Sequence, residues 1–136
     1  MQDKSSVANS IIEALKTELD LESQVEDFKD GSIGIRTNLN LNFIDYPVFM
    51  QVSCYKDNSM SVHFIFNDFE ESENNLRFIN NFNKENEYVK AYISKFLVFA
   101  YTTANIKSDE DYVTHTLFAL NNMLADSNVE LIKKNI

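Results

Sequence analysis

Two side chains in this sequence are of the types that form a nucleophilic pair: Cys54, its single cysteine, and His63. A thiol needs a base within reach to become a nucleophile, and the base needs a third group to orient it. Both residues fall in the stretch from Tyr46 to Phe66, YPVFMQVSCYKDNSMSVHFIF. Folded as two strands about a two-residue turn at Asp57-Asn58, that stretch sets Cys54 opposite Ser61 and on the same face as His63. The pair would then lie mid-strand, away from the loops where catalytic groups gather, and no third orienting residue is evident. The simpler expectation is a buried small thiol and a strand histidine; a Cys54-dependent enzyme is the weaker one.

Other chemistry is no better supplied. The only histidines are His63 and His115. The acidic runs Asp68-Glu70-Glu71-Glu73 and Asp109-Glu110-Asp111 sit at helix starts, where the helix dipole accounts for them, and no calcium-loop spacing occurs. The two glycines, Gly31 and Gly34, belong to a strand-turn region and not to a phosphate cradle. No residue is therefore expected to be catalytic, cofactor-binding or metal-binding, and the expectation is a non-enzymatic protein without a cofactor.

The elements that position these residues start with the hairpin itself. β-branched and aromatic residues fill both arms. With the turn at Asp57-Asn58, one face carries Val48, Met50, Val52, Cys54, Ser61, His63 and Ile65. The other carries Phe49, Gln51, Ser53, Tyr55, Met60, Val62, Phe64 and Phe66. Neither face is polar, as one face of a half-exposed antiparallel sheet should be. The sheet is expected to be covered twice, or to use one face as a contact surface.

Upstream, Ser5 or Ser6 can cap a helix to about Asp20 with a stripe of Val7, Ile11, Leu15 and Leu19. Asp30-Gly31 is a hairpin signal between short strands near 24–29 and 32–37. Downstream, Ser72 caps a helix that ends near Asn86, with Leu76, Ile79 and Phe82 on its apolar side. A second hairpin follows, turning at Ser94-Lys95. One of its faces holds Val89, Ala91, Ile93, Phe96, Val98 and Ala100, the other Tyr88, Lys90, Tyr92, Leu97, Phe99 and Tyr101. Ser108 and Asp111 open a last helix with Val113, Leu117, Leu120 and Leu124 as its stripe. An interruption is expected at Ser127-Asn128, and within residues 126–136 the tail VELIKKNI is expected either to add one more helical turn or two or to trail as a loose end.

This order, α-β-β-β-β-α-β-β-α, predicts an α+β domain in which helices bracket an antiparallel sheet. At 136 residues with 44% hydrophobic content, a single domain over 1–136 with a real core is expected. A net charge of −9 argues against direct binding to nucleic-acid phosphates, which takes clustered Lys and Arg. The opening MQDKSSVANS lacks the build of a signal peptide, and no apolar run reaches the length of a membrane span. With a lone cysteine and no disulfide framework, the expected location is the cytoplasm.

The stretch LRFINNFNKENEYVKAYISKFLVFAYTTAN carries a resemblance. A helix ending at Ile79–Asn86, a strand Tyr88–Ile93 directly after it, a strand Leu97–Tyr101 and a capped helix from Ser108 together resemble the YbjN-like family, which shares the fold of type III secretion chaperones. The likeness covers the second half of the chain; the first half agrees in element order. It departs at Ser94-Lys95, where an Asp-Gly turn would be more typical. The resemblance implies a non-enzymatic, chaperone-like domain, often a homodimer, that binds or regulates other proteins.

Tyr88, Tyr92, Leu97, Phe99 and Tyr101 are the candidate protein-interface residues. Tyr combines contact area with a polar tip, and Lys90 among them favours an exposed face; the alternative is that these rings form the core face under the helices while the aliphatic set meets solvent or a partner. The alternative function is an acidic inhibitor that mimics nucleic acid, as small phage proteins do.

Overall fold

The structure, a computed structural model, describes residues 4–136. Ten elements follow one another: α1 (Lys4–Leu19), β1 (Ser23–Asp27), β2 (Ile33–Leu39), β3 (Val48–Cys54), β4 (Met60–Asp68), α2 (Glu73–Glu85), β5 (Lys90–Ser94), β6 (Phe96–Thr103), α3 (Asp109–Met123) and α4 (Asp126–Lys133). The six strands form one sheet in the order β1-β2-β3-β4-β6-β5, and every neighbouring pair is antiparallel. This is the expected α+β class, with α4 as an additional helix.

Two tight turns are built alike. Phe28-Lys29-Asp30-Gly31-Ser32 joins β1 to β2, and Tyr55-Lys56-Asp57-Asn58-Ser59 joins β3 to β4. In each, the aromatic N–H donates to the serine carbonyl (3.0 and 2.9 Å), and the fourth residue's N–H donates back to the aromatic carbonyl (3.2 Å in both). The Asp carboxylate accepts from the serine N–H, at 2.9 Å for Asp30 and 3.1 Å for Asp57. Gly31 at φ 88° and Asn58 at φ 65° supply the left-handed residue, the position glycine and asparagine tolerate best. Each loop therefore has three residues, not two.

That one extra residue overturns the expected register. Cys54 pairs with Met60, and Ser53, not Cys54, pairs with Ser61. A slip of one residue moves a whole strand's side chains to the other face. The face toward the helices is Val48, Met50, Val52 and Cys54 together with Met60, Val62, Phe64 and Phe66, all buried. The second hairpin slips in the same way. Lys95 alone, at φ 64°, separates Ser94 from its partner Phe96. Val89, Ala91 and Ile93 thus share the inner face with Leu97, Phe99 and Tyr101, while Phe96, Val98 and Ala100 move to the outer one.

α1, α2 and α3 cover the inner face, and α4 packs against α3. α1 buries Val7, Ala8, Ile11 and Leu15, and Leu19 lies exposed beyond the end of that stripe. Ser5 and Ser6 lie inside the helix and not at its cap; Ser6 Oγ donates to the Asp109 carboxylate at the start of α3. Lys4 Nζ reaches Tyr112 Oη at 2.9 Å and Asn58 Oδ1 at 3.2 Å, which ties α1 to α3 and to the second turn. α2 is capped as expected, the Ser72 hydroxyl accepting from Asn75 N–H at 3.1 Å. It presses Phe82 onto Phe99 with ring centroids 4.8 Å apart, and Phe99 meets Phe66 edge-on at 5.2 Å. Edge-to-face contacts of this kind add to the burial energy of the rings. Ser108 caps α3 through Asp111 N–H at 3.1 Å.

The break after α3 falls at Leu124-Ala125, not at Ser127-Asn128. Of the two readings of the tail, the helical one holds: residues 126–133 form α4. Ile132 is fully buried there, and Asn128 Nδ2 donates to the Asn122 carbonyl at 2.7 Å.

Candidate functional site

The register decides first what is not a site. Cys54 and His63 stand on opposite faces of the sheet, so the nucleophilic pair, the weaker reading of the sequence, does not form, and the thiol is the buried one expected. Cys54 is fully buried, and desolvation pushes its thiol up to about 12, with only a small opposing pull from the Lys4 ammonium. A thiol so placed stays protonated and inert. His63 lies half-buried on the outer face, where desolvation lowers its pKa. Among the described residues no group of three or more His, Cys, Asp or Glu side chains could hold a metal.

The five candidate interface residues do not share a surface. Leu97, Phe99 and Tyr101 point into the core and are at most 6% exposed. Tyr101 Oη lies 2.7 Å from His115 Nδ1 beneath α3, and burial pushes that phenol up. Tyr88 is exposed on the helical side and packs edge-on against Phe118 at 5.1 Å. Tyr92 alone stands on the outer face of the sheet, 41% exposed. The cause is again Lys95, which takes up the hairpin turn by itself and shifts β6 by one residue.

The outer face carries no helix, and its side chains fall into rows that run straight across the strands. The first row is Asn38, Phe49, Ile65, Val98 and Tyr92. Phe49 is 43% exposed, and beside the row stands Phe96 at 37% with the Lys95 ammonium 5.5 Å from its ring centre. The second row is polar: Gln24, Arg36, Gln51, His63, Ala100 and Lys90. The third holds Glu26, Gly34, Ser53, Ser61 and Thr102. Two turn aromatics lean over it. The Phe28 ring lies where a Cβ on Gly34 would meet it at 2.9 Å, and Tyr55 Oη sits 3.0 Å from Ser61 Oγ. Charge on this face is balanced: Arg36 pairs with Glu26 at 3.7 Å, and Lys90 turns away to bond the Asn83 carbonyl at 3.0 Å. A near-neutral, partly aromatic sheet face on a chain of net charge −9 is suited to protein contact, since interface cores are depleted in charge and enriched in aromatics.

The two edges of the sheet differ. At β5, the Asn83 carboxamide of α2 stands in for a neighbouring strand. Its Nδ2 donates to the Ala91 carbonyl at 3.0 Å, and its Oδ1 accepts from Ala91 N–H at 2.6 Å. Both hydrogen-bonding groups of that residue are thereby used, which blunts the edge. β1 ends the other side with the polar sequence SQVED.

The whole arrangement has a counterpart among solved structures. It is similar to the Yersinia pestis type III secretion chaperone SycH, solved in complex with a stable fragment of YscM2: the TM-score is 0.50 and the sequence identity 14%, over 92% of this chain and 98% of that one. The fold is that of a type III secretion chaperone. At that identity the likeness concerns the chaperone fold alone. No known family matches the sequence, and no curated protein does. Among the described residues, no helix of this chaperone fold is long and apolar enough to cross a membrane.

Of the outer-face residues, sequence reasoning singled out Tyr92 alone and missed Phe49, Ile65, Val98 and Phe96. The signal that could have found Phe49 and Ile65 was the repeated pattern FKDGS and YKDNS. Read as one turn type used twice, it fixes the register of β3 and β4.

Proposed function

We propose that this chain is a non-enzymatic, chaperone-like protein-binding module of the cytoplasm, related to the YbjN-like family, that works through the helix-free face of its sheet as a homodimer or with a partner protein. The observation that carries the reading is the apolar row Phe49–Ile65–Val98–Tyr92, of which Phe49 and Tyr92 are exposed together with neighbouring Phe96, on a face where an antiparallel sheet ordinarily presents polar residues to water. The likeness to a chaperone solved with a protein fragment is consistent with this reading. The alternative of an acidic nucleic-acid mimic has no such support. Six of the chain's 21 Asp and Glu carboxylates, on Asp30, Asp57, Asp111, Glu26, Glu73 and Glu130, are engaged in turns, caps and ion pairs.

The test is a pair of substitutions on that face, Phe49→Asp and Tyr92→Asp, followed by light scattering and by copurification from the native host. The wild-type protein is expected to carry either the mass of a dimer or a bound protein, and the double variant to lose it with its circular dichroism unchanged. If the double variant keeps its mass and its bound protein, the outer face is not the working surface.

A further inference from the structure

We infer that the open cleft between the α1–β1 loop and the outer face of β2 and β3 is a binding site for a neutral saccharide, held by the side chains of Gln24, Arg36, Asn38 and Asn40 against the ring of Phe49. This goes beyond the protein-binding reading and adds a small-molecule ligand at one end of the sheet.

The cleft has a volume of about 670 Å³, within the usual range for small-ligand sites. It exists because β1 is shorter than β2. Ser23 is the first residue of β1 and pairs with Thr37, so Asn38 and, just beyond the strand, Asn40 run on past the end of β1. The chain that enters β1 bends away there. Asp20 closes α1 in a left-handed backbone at φ 54°. Its N–H donates to the Lys16 carbonyl at 3.0 Å, and that of Leu21 donates to the Leu15 carbonyl at 3.1 Å. Glu22 is tied back to Lys16 at 3.5 Å. One wall is therefore this fixed loop. The other is the sheet itself, where Asn38 stands opposite Phe49 and Gln24 opposite Arg36. Such neighbours lie about 5 Å apart across the strands and about 7 Å apart along them, the scale of a sugar ring with its hydroxyls.

The lining is polar except for Leu21 and Phe49, and its carboxamides are uncommitted. Asn83, Asn86, Asn122 and Asn128 each donate to a backbone carbonyl elsewhere in the fold. Among the described residues, the side chains of Gln24, Asn38 and Asn40 have no hydrogen-bond partner. The Arg36 guanidinium meets Glu26 at 3.7 Å, too far for a hydrogen bond, so its planar fork of donors is open as well. A carboxamide offers a donor and an acceptor side by side, and so does a pair of vicinal hydroxyls. Phe49, 43% exposed, supplies a flat apolar surface for the C–H face of a sugar ring. Charge and polarity decide against other ligands. Asp20 and Glu22 share the cleft with Arg36, so it has no positive excess for a phosphate or a nucleotide. An apolar molecule would leave the carboxamides and the guanidinium without partners. A neutral ligand rich in hydroxyls meets each of these constraints.

An NMR titration of the full, isotope-labelled chain with maltotriose, cellotriose, mannotriose and triacetylchitotriose, each to about 10 mM, tests the site. At least one of these sugars is expected to shift the backbone amide signals of Gln24, Arg36, Asn38 and Phe49, with a dissociation constant of about 1 mM or below. The double variant Asn38→Ala and Asn40→Ala, at two exposed positions, is expected to bind that sugar about 10-fold more weakly with its circular dichroism unchanged. Phe49→Ala is expected to weaken binding as well, and Phe49→Tyr to keep it, because the contact needs only the ring. AMP and inorganic phosphate are the controls that leave these signals in place. The inference is overturned if none of the sugars moves these signals or if the shifts fall elsewhere on the chain. It is overturned equally if the asparagine variant binds as tightly as the wild type, or if AMP moves the same signals more readily than any sugar.

Discussion

Replacing Asn83 with alanine removes the one side chain that occupies the outer edge of β5. The carboxamide makes two hydrogen bonds to Ala91, at 3.0 Å through Nδ2 and at 2.6 Å through Oδ1. Each such bond contributes a net ~1 kcal/mol, and a backbone group left without a partner and without water costs ~1–3 kcal/mol more. Ala91 is only 4% exposed, but it lies on an edge strand that water can reach once the side chain is gone. The expected loss is therefore about 2 kcal/mol. Urea titration followed by circular dichroism reads it directly. With a slope of roughly 2 kcal/mol per molar, the midpoint should fall by about 1 M at unchanged slope. Asn83→Asp sharpens the test. An ionised carboxylate can still accept from Ala91 N–H, but it confronts the Ala91 carbonyl with a second acceptor. It should be at least as destabilising as alanine at neutral pH, and should recover part of the loss when acid restores an O–H donor. A midpoint within about 0.2 M of wild type for Asn83→Ala, or no recovery of Asn83→Asp on acidification, would refute the assignment of this side chain as a strand substitute.

Other expectations follow from the same geometry. Phe99→Ala, which empties the space between Phe66 and Phe82, should cost about 3–5 kcal/mol, whereas Phe49→Ala on the outer face should cost under about 0.5 kcal/mol in thermal unfolding of the monomer. Cys54, with its thiol pushed up to about 12, should resist thiol reagents in the native state and react at once in denaturant; prompt native labelling would show that the inner face is open. His63 is held below its ordinary value by desolvation, so the unfolded chain takes up the proton first as the pH falls. Its contribution to stability is full above about 6.5 and declines below that, until the folded imidazole also titrates. His63→Gln should remove that part of the decline from a series of melting temperatures against pH, and an unaltered profile would show that the imidazole is not desolvated.

The helices were legible because their ends are written in capping residues. Ser72 and Ser108 stand where the sequence places them, and each accepts from the N–H three residues on. The strands were legible too, but their faces were not, because alternation says which residues share a side only after the turn length is known. Lys56 reads as a strand residue by position and yet belongs to the loop. Lys95 adopts a left-handed backbone that its own chemistry does not advertise, and it holds that conformation with its carbonyl accepting from Phe69 N–H at 3.0 Å. Lys56 exchanged the faces of the first hairpin, and Lys95 divided the expected aromatic surface between core and outer face. The start of α4 was misplaced for a different reason: no glycine or proline marks the break at Leu124-Ala125, and the short helix owes its place to buried Ile132 and to the Asn128 side chain.

The unequal edges of the sheet set a limit on what many copies can build. A filament grows when one edge of a sheet accepts the opposite edge of the next molecule, and so on without end. Here the β5 side is already occupied by the Asn83 carboxamide of the same chain, so an arriving β1 finds no unpaired residue at Ala91. A β1 side that meets another β1 instead closes on itself after two molecules. A single amide thus works as a chain terminator: it allows finite assemblies and denies the sheet the head-to-tail repeat from which fibres are made.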